Sequence, residues 1–273
     1  MLIINPFNLV YFGYLALNVL LIIIITLLLK NKSEKTKYNV LMSICLFNVV
    51  FWIIYKVVLF IGNKDLASTG YEFNFWRELP FHLCNISLIL VPIGLALRKK
   101  WLYAYGFYVA VLGAFMAVSF PSLGFYNTSI LGLHNIGFYG THGLIIVVGI
   151  LLVTLGFLKP SFEDIPLLVG VLLVLAVFAY DLNNIILVLT HTKANYFYVI
   201  EPEGISILEL FWKFLPIEFF YLIFGIFILV IYSTIINVSF LVSKKIKEKI
   251  HEWFETLFST IKWINFFTWS RRW

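Results

Sequence analysis

Two short stretches carry residue types suited to covalent chemistry. In "ELPFHLCNISLIL", Glu78 to Leu90, His82 stands two places before Cys84, with Asn85 next and Pro80 just upstream. Further along, "FYGTHGLI" sets His142 among Gly140, Thr141 and Gly143. A cysteine reacts as its thiolate, and a helix N-terminus or a neighbouring imidazole favours that form. Pro80 suits the first position of a helix, where its missing N–H has no intrahelical partner, so Cys84 is expected near the helix's positive end. On a regular helix His82 points to nearly the opposite face and reaches the thiol only if the first turn is irregular. His142, from another helix, is the better base. Asp181 or Asn183 could hold its ring in the working tautomer, the third role in a nucleophile, base and orienter site.

Each residue also has a structural reading. Cys45 has no polar company and reads as packing. His82 could bond a carbonyl or a lipid phosphate, and Asp181 could pair with Lys56 or Lys213. Asn195, Tyr196 and Tyr198 could form a turn with interface aromatics. A metal reading would draw on His82, His134, His142 and His191, but no H-E-x-x-H or other paired-ligand spacing is present, so no metal is expected. Nor is there a G-x-S-x-G elbow, a phosphate-binding glycine loop or a dinucleotide fingerprint, and no cofactor is expected.

The elements that must position these residues are membrane helices. The chain of 273 residues is 62% hydrophobic and only 12% charged, where a soluble domain has about a quarter of its residues charged. Apolar windows predict seven spans, at about 7–30, 38–62, 80–97, 101–120, 136–158, 165–190 and 207–241. The last is long enough to tilt, kink at Pro216 or run on past the membrane. The first reads as a retained span and not a removable signal peptide. Two cysteines are too few for a disulfide framework.

Lysines and arginines fix the expected orientation. Lys30, Lys32, Lys35 and Lys37, then Arg98, Lys99 and Lys100, then Lys244, Lys245, Lys247 and Lys249 fall in alternate connections and belong on the cytoplasmic side. The opposite connections carry Lys64, Asp65, Glu72, Arg77 and Glu78, then Lys193, Glu201 and Glu203. The result is an all-α, polytopic bundle, N-out and C-in, with residues 1–242 as the bundle and 243–273 as a membrane-surface tail. In that tail Ile246, Ile250, Trp253, Leu257, Ile261 and Ile264 form one stripe of an amphipathic interfacial helix. The net charge of +6 is topological: its partners are anionic lipid headgroups at the cytoplasmic face, and no basic domain exists for a nucleic acid.

Polar residues inside a membrane are costly and face a bundle interior or a wet cavity. With this topology His82, Cys84, Asn85, His142, Asp181, Asn183 and Asn184 all fall in the outer half, and the loop "HTKANYFYVIEPEG" adds Asn195, Tyr196 and Tyr198. One outer-leaflet cavity is expected, with Cys84, His142 and His82 catalytic. Asn85, Asp181, Asn183, Asn184, Asn195, Tyr196 and Tyr198 would bind substrate.

These residues carry a family resemblance. "ELPFHLCNISLIL", "FYGTHGLI", "NNIILVLTHTKANYFYV" and "FLPIEFF", in that order, resemble the YwaF family of bacterial multispanning proteins, which is similar to the animal transmembrane protein 164 family, a cysteine acyltransferase family acting on phospholipids. By that resemblance Cys84 matches the acyl-accepting cysteine, His142 the histidine that serves it, and His82 the histidine just before the cysteine. Asn85 stands where many bacterial relatives carry an acid, which leaves Asp181 to supply one. The resemblance implies a multi-pass protein of a bacterial cell membrane that moves a fatty acyl chain from a phospholipid to Cys84 and then to a lysophospholipid. The rival readings are a non-enzymatic carrier or receptor for a small ligand, and a phospholipid hydrolase, metal-dependent or not.

Overall fold

Leucine, isoleucine, valine and phenylalanine runs, interrupted by short polar connections that supply helix caps, set the architecture. A computed structural model describes residues 2–62 and 73–270, with side chains described except at 123, 244, 247 and 250–270. Helix α1 (Leu9–Leu29) starts where the Asn8 side chain accepts a hydrogen bond from the Tyr11 N–H, and α2 (Glu34–Ile61) where Ser33 accepts from Thr36. There follow the one-turn α3 (Phe75–Glu78), α4 (Leu83–Leu97), α5 (Lys100–Ser119), α6 (Leu133–Thr154), α7 (Asp164–Thr190), α8 (Ser206–Phe214) and α9 (Ile223–Ser270). Tyr105–Ala110 within α5 is a π-helical turn. The described chain is all-α apart from β1 (Ile3–Ile4), which pairs antiparallel with β2 (Thr128–Ser129).

Six helices among the described residues are long and apolar enough to cross a membrane: α1, α2, α5, α6, α7 and the stretch Phe220–Ser243. The expected third span is shorter. Helix α4 has 15 residues, about 22 Å of rise, against a hydrocarbon core of about 30 Å. It begins at Leu83, and Pro80 sits in the turn before it, with the Phe81 N–H on the Leu79 carbonyl at 2.8 Å. Pro80 is therefore not the first helical residue. The expected seventh span is broken in two. Leu215 is extended (φ −143°, ψ 83°), as a residue before proline tends to be, Pro216 has no N–H to offer the ladder, and Phe219 takes φ +66° before a 3₁₀ turn at Phe220–Leu222 leads into α9.

Helix α6 is the central element and packs on α1, α2 and α5. Glycines on its surface permit this. A Cβ at Gly137 would fall within the ring of Tyr55 from α2, and one at Gly149 would lie 2.6 Å from the Gly106 carbonyl in the π turn of α5. Small residues at such crossings let membrane helices come into backbone range.

Contacts between Cα atoms divide the chain into two units, Met1–Val230 and Ile231–Trp273. Of the stripe expected in the tail, Ile246 alone lies among the described side chains, and it is exposed. The expected outer charges Lys64, Asp65 and Glu72 lie outside the described residues.

Candidate functional site

A cavity of about 1310 Å³ lies within the first unit, larger than the roughly 300–1,000 Å³ of most small-molecule sites. Helical periodicity builds its walls. Trp52, Tyr55 and Lys56 line it from one face of α2; Leu112, Gly113, Met116 and Ala117 from α5; Asn135, Phe138, Thr141 and His142 from α6. Leu172, Leu173 and Ala176 of α7 and Ile223, Ile226 and Phe227 of α9 add an apolar wall. Its charged and titratable groups include Lys56, Arg77, Glu78, His82, His134, His142 and Tyr198, with Cys84 and Asn85 among them.

Cys84 is the second residue of α4 and half-buried. Its place in the first turn sets it at the positive end of the helix, two residues after His82, which is the N-cap residue with an extended backbone (φ −69°, ψ 150°). Because His82 is outside the helix, the opposite-face geometry expected of a regular helix does not apply, and both side chains line the same cavity. The His82 ring lies between Tyr196 and Tyr198, its centroid 5.2 Å from each. Its electrostatic surroundings include Lys56, Glu78, His142 and Arg77.

His142 is buried to 9% exposure. Its Nδ1 lies 2.7 Å from the Phe138 carbonyl one turn earlier. A carbonyl only accepts, so Nδ1 carries the hydrogen and Nε2 of the neutral ring is left as an acceptor. The orienter sought on α7 is thus supplied by α6's own backbone. Rings hold the imidazole as well: Phe138 packs on His142 at 4.4 Å and on Phe125 at 4.1 Å, and Phe125 stacks on His134 at 4.3 Å. Aromatic residues four apart on a helix, as at 138 and 142, were the available sequence signal for this support.

Other expected residues are held elsewhere. Asp181 and Asn184 are exposed and off the cavity wall, Asn184 donating to its own helix at the Tyr180 carbonyl, 3.0 Å. Asn183 is fully buried: its amide donates to the Tyr196 carbonyl at 3.2 Å and its oxygen accepts the Tyr196 N–H at 2.9 Å. Asn195 braces the same loop, donating to the Glu201 carbonyl at 2.7 Å and accepting from the Ile200 N–H at 3.1 Å. Tyr196 donates its hydroxyl to the Trp76 carbonyl on α3. These contacts fix a turn in which Phe197 and Tyr198 both take positive φ, 58° and 55°, a conformation costly for bulky residues. The turn delivers Tyr198 to the cavity beside His82. Burial pushes the Tyr198 phenol well above its ordinary range, so the hydroxyl remains a donor. His191, the left-handed C-cap of α7, is exposed and off the wall.

Lys56 pairs with Glu78, joining α2 to α3, and not with Asp181. A lone lysine in an apolar span announces a partner or a function, yet sequence spacing could not say which acid it meets. Arg77 lies 3.6 Å from Glu203, whose carboxyl is held above the usual range by burial, with a hydrogen bond from Asn195 and the Arg77 charge offsetting only part of the rise. Among the described residues no group of three or more His, Cys, Asp or Glu side chains is arranged to hold a metal.

A sequence model of the TMEM164 family matches residues 4–237. The chain belongs to the TMEM164 family. With six apolar spans among the described residues, this member of the family is a multi-pass integral membrane protein. The matched stretch includes every residue that lines the cavity. No curated protein and no solved structure matches the chain.

Proposed function

We propose that this TMEM164-family protein is a cysteine-dependent phospholipid acyltransferase. The observation that carries the reading is a half-buried thiol at a helix N-terminus sharing one cavity with an imidazole whose Nε2 is the acceptor nitrogen. The cavity's apolar wall suits an acyl chain, and its polar wall a headgroup. In the first step His142 Nε2 takes the Cys84 proton as sulfur attacks an ester carbonyl of the donor lipid. The carbon–oxygen bond then breaks, the departing glycerol oxygen takes the proton from Nε2, and the acyl group remains as a thioester on Cys84. In the second step His142 accepts the proton of a lysolipid hydroxyl, that oxygen attacks the thioester, and the sulfur leaves and regains its proton. Asn85 and His82 are the donors nearest in sequence for the tetrahedral oxyanion. A water-poor site favours transfer over hydrolysis, which agrees with a nucleophile on a membrane helix and not on a loop.

With the short α4 taken as a seventh crossing, the lysine and arginine distribution supports an N-out, C-in topology, in which the cavity faces the outer leaflet. The test is to incubate purified protein with labelled diacyl phospholipid and map adducts by mass spectrometry. A hydroxylamine-sensitive acyl group on Cys84, absent from Cys84→Ala, is expected, with the label passing to added lysolipid. Undiminished lipid turnover in both Cys84→Ala and His142→Ala would sink the mechanism. Free fatty acid as the sole product would make the same site a hydrolase.

A further inference from the structure

The lining of the cavity carries three formally charged side chains among the described residues: Lys56, Arg77 and Glu78. Each cation has a carboxylate beside it, Glu78 on the lining for Lys56 and Glu203 off the lining for Arg77, and the rest of the wall is neutral polar and apolar. Lys56 is confined. It pairs with Glu78 and sits 5.3 Å from the Tyr55 ring centroid and 6.0 Å from that of Trp52, contacts that hold the ammonium at the wall with its side chain 21% exposed. Arg77 is different. Its side chain is 54% exposed and its guanidinium stands 3.6 Å from Glu203, longer than the roughly 2.7–2.9 Å of a charge-assisted hydrogen bond. A guanidinium offers five N–H donors in a planar fork, and this loose contact leaves most of them available to a ligand. Arg77 is fixed relative to Cys84 by the chain itself, because α3, which carries Arg77 and Glu78, leads through the Pro80 turn directly into α4, and Lys56 of α2 is tied to that segment by its pair with Glu78. The Tyr196 hydroxyl on the Trp76 carbonyl pins α3 from the other side.

We infer that Lys56 and Arg77 form a clamp for the phosphodiester of the lipid substrate, with Glu78 holding Lys56 in place. This rests on the acyl-transfer reading and deepens it. A phosphodiester's two free oxygens suit a guanidinium fork beside an ammonium point charge, and they can take the N–H groups that the loose 3.6 Å contact with Glu203 leaves open. The phosphate thus binds on the α2 and α3 side, which frees His82 and Asn85, at the start of α4, to serve the ester carbonyl. A neutral diacylglycerol has no phosphate oxygens for the guanidinium and ammonium to hold and would be the poorer donor.

The test compares a diacyl phospholipid with the diacylglycerol of the same chains, as acyl donors to Cys84. Wild-type protein is expected to prefer the phospholipid. Lys56→Gln and Arg77→Gln are each expected to reduce the ratio of phospholipid to diacylglycerol turnover about tenfold or more, and Lys56→Arg to restore part of it. An unchanged ratio in both Gln variants overturns the clamp while leaving acyl transfer intact. A second arm measures retention of a non-hydrolysable diether phospholipid, and of the matching diether glycerol, by native mass spectrometry. Loss of the phospholipid preference in Arg77→Gln supports the clamp even where no acyl transfer occurs with any donor, the outcome that would defeat the function proposed above. Arg77 is half exposed, so that variant is expected to fold even if Lys56→Gln does not. Inorganic phosphate at millimolar concentration is the last probe: competition with the diether lipid shows that a free phosphate fills the same clamp, and its failure to compete ties recognition to the lipid.

Discussion

Helices α6 and α7 look alike as sequences and behave differently in the fold. Both are apolar, with mean hydropathy 2.1 and 2.4 over their best windows, and both carry polar side chains in mid-helix. Yet 67% of the α6 window is buried and only 11% of the α7 window. Helix α6 is flanked by α1, α2 and α5, so Thr141 and His142 meet a cavity enclosed by protein. Helix α7 turns Asp181 and Asn184 outward and Asn183 into the Tyr196 turn. A polar residue in a span therefore signals chemistry only when neighbouring helices close around it; otherwise it braces a loop or faces the surroundings.

Four substitutions test that contrast. The largest effect is expected on α6 at His142: in the proposed mechanism its replacement by Ala removes the base and should lower the proposed acyl transfer by about 10²–10⁴-fold without loss of folded protein, measured by labelled-lipid turnover beside size-exclusion profiles. Next, Gly137→Leu drives a side chain into the Tyr55 ring and should cost about 1–3 kcal/mol, seen as a lowered midpoint of thermal unfolding in detergent. Unchanged stability there would mean that α6 does not need close approach to α2. On α7, Asn183→Ala leaves the Tyr196 N–H without its partner and the Tyr196 carbonyl with only the long 3.4 Å contact from the Val199 N–H, and should cost about 1–3 kcal/mol locally. Faster amide hydrogen exchange at Tyr196–Tyr198 is the readout, with a modest fall in activity as Tyr198 loosens. Smallest is Asp181→Asn, expected to change turnover by less than about twofold. A drop as large as that of His142→Ala would erase the distinction between the two helices.

Much of the architecture was legible because membrane spans are written in composition. Length and apolarity gave α1, α2, α5, α6 and α7 within a few residues, and the lysine caps and polar connections marked their ends. The seventh span, expected over 207–241 with a kink at Pro216 as one outcome, is a full break and not a kink, because hydropathy counts apolar residues and does not register the positive φ of Phe219. Pro80 misled in the opposite sense: it marks a turn before α4, and the helix waits until Leu83.

The site was legible in its residue types and less so in its partnerships. The sequence by itself determined that a cysteine would stand at a helix start, that histidines would lie in the same half of the bundle, and that the surroundings would be apolar, since all three follow from local pattern. Only the tertiary structure decided who meets whom. Lys56 met Glu78 and not Asp181, the Phe138 carbonyl took the orienting role sought on α7, and His82 came to the cavity through an extended N-cap. The physical reason is that a span's hydropathy is the same whichever way the helix is rotated about its axis. Packing sets that rotation, here through the glycines that admit α6 to α2 and α5, and rotation determines which polar groups share a cavity.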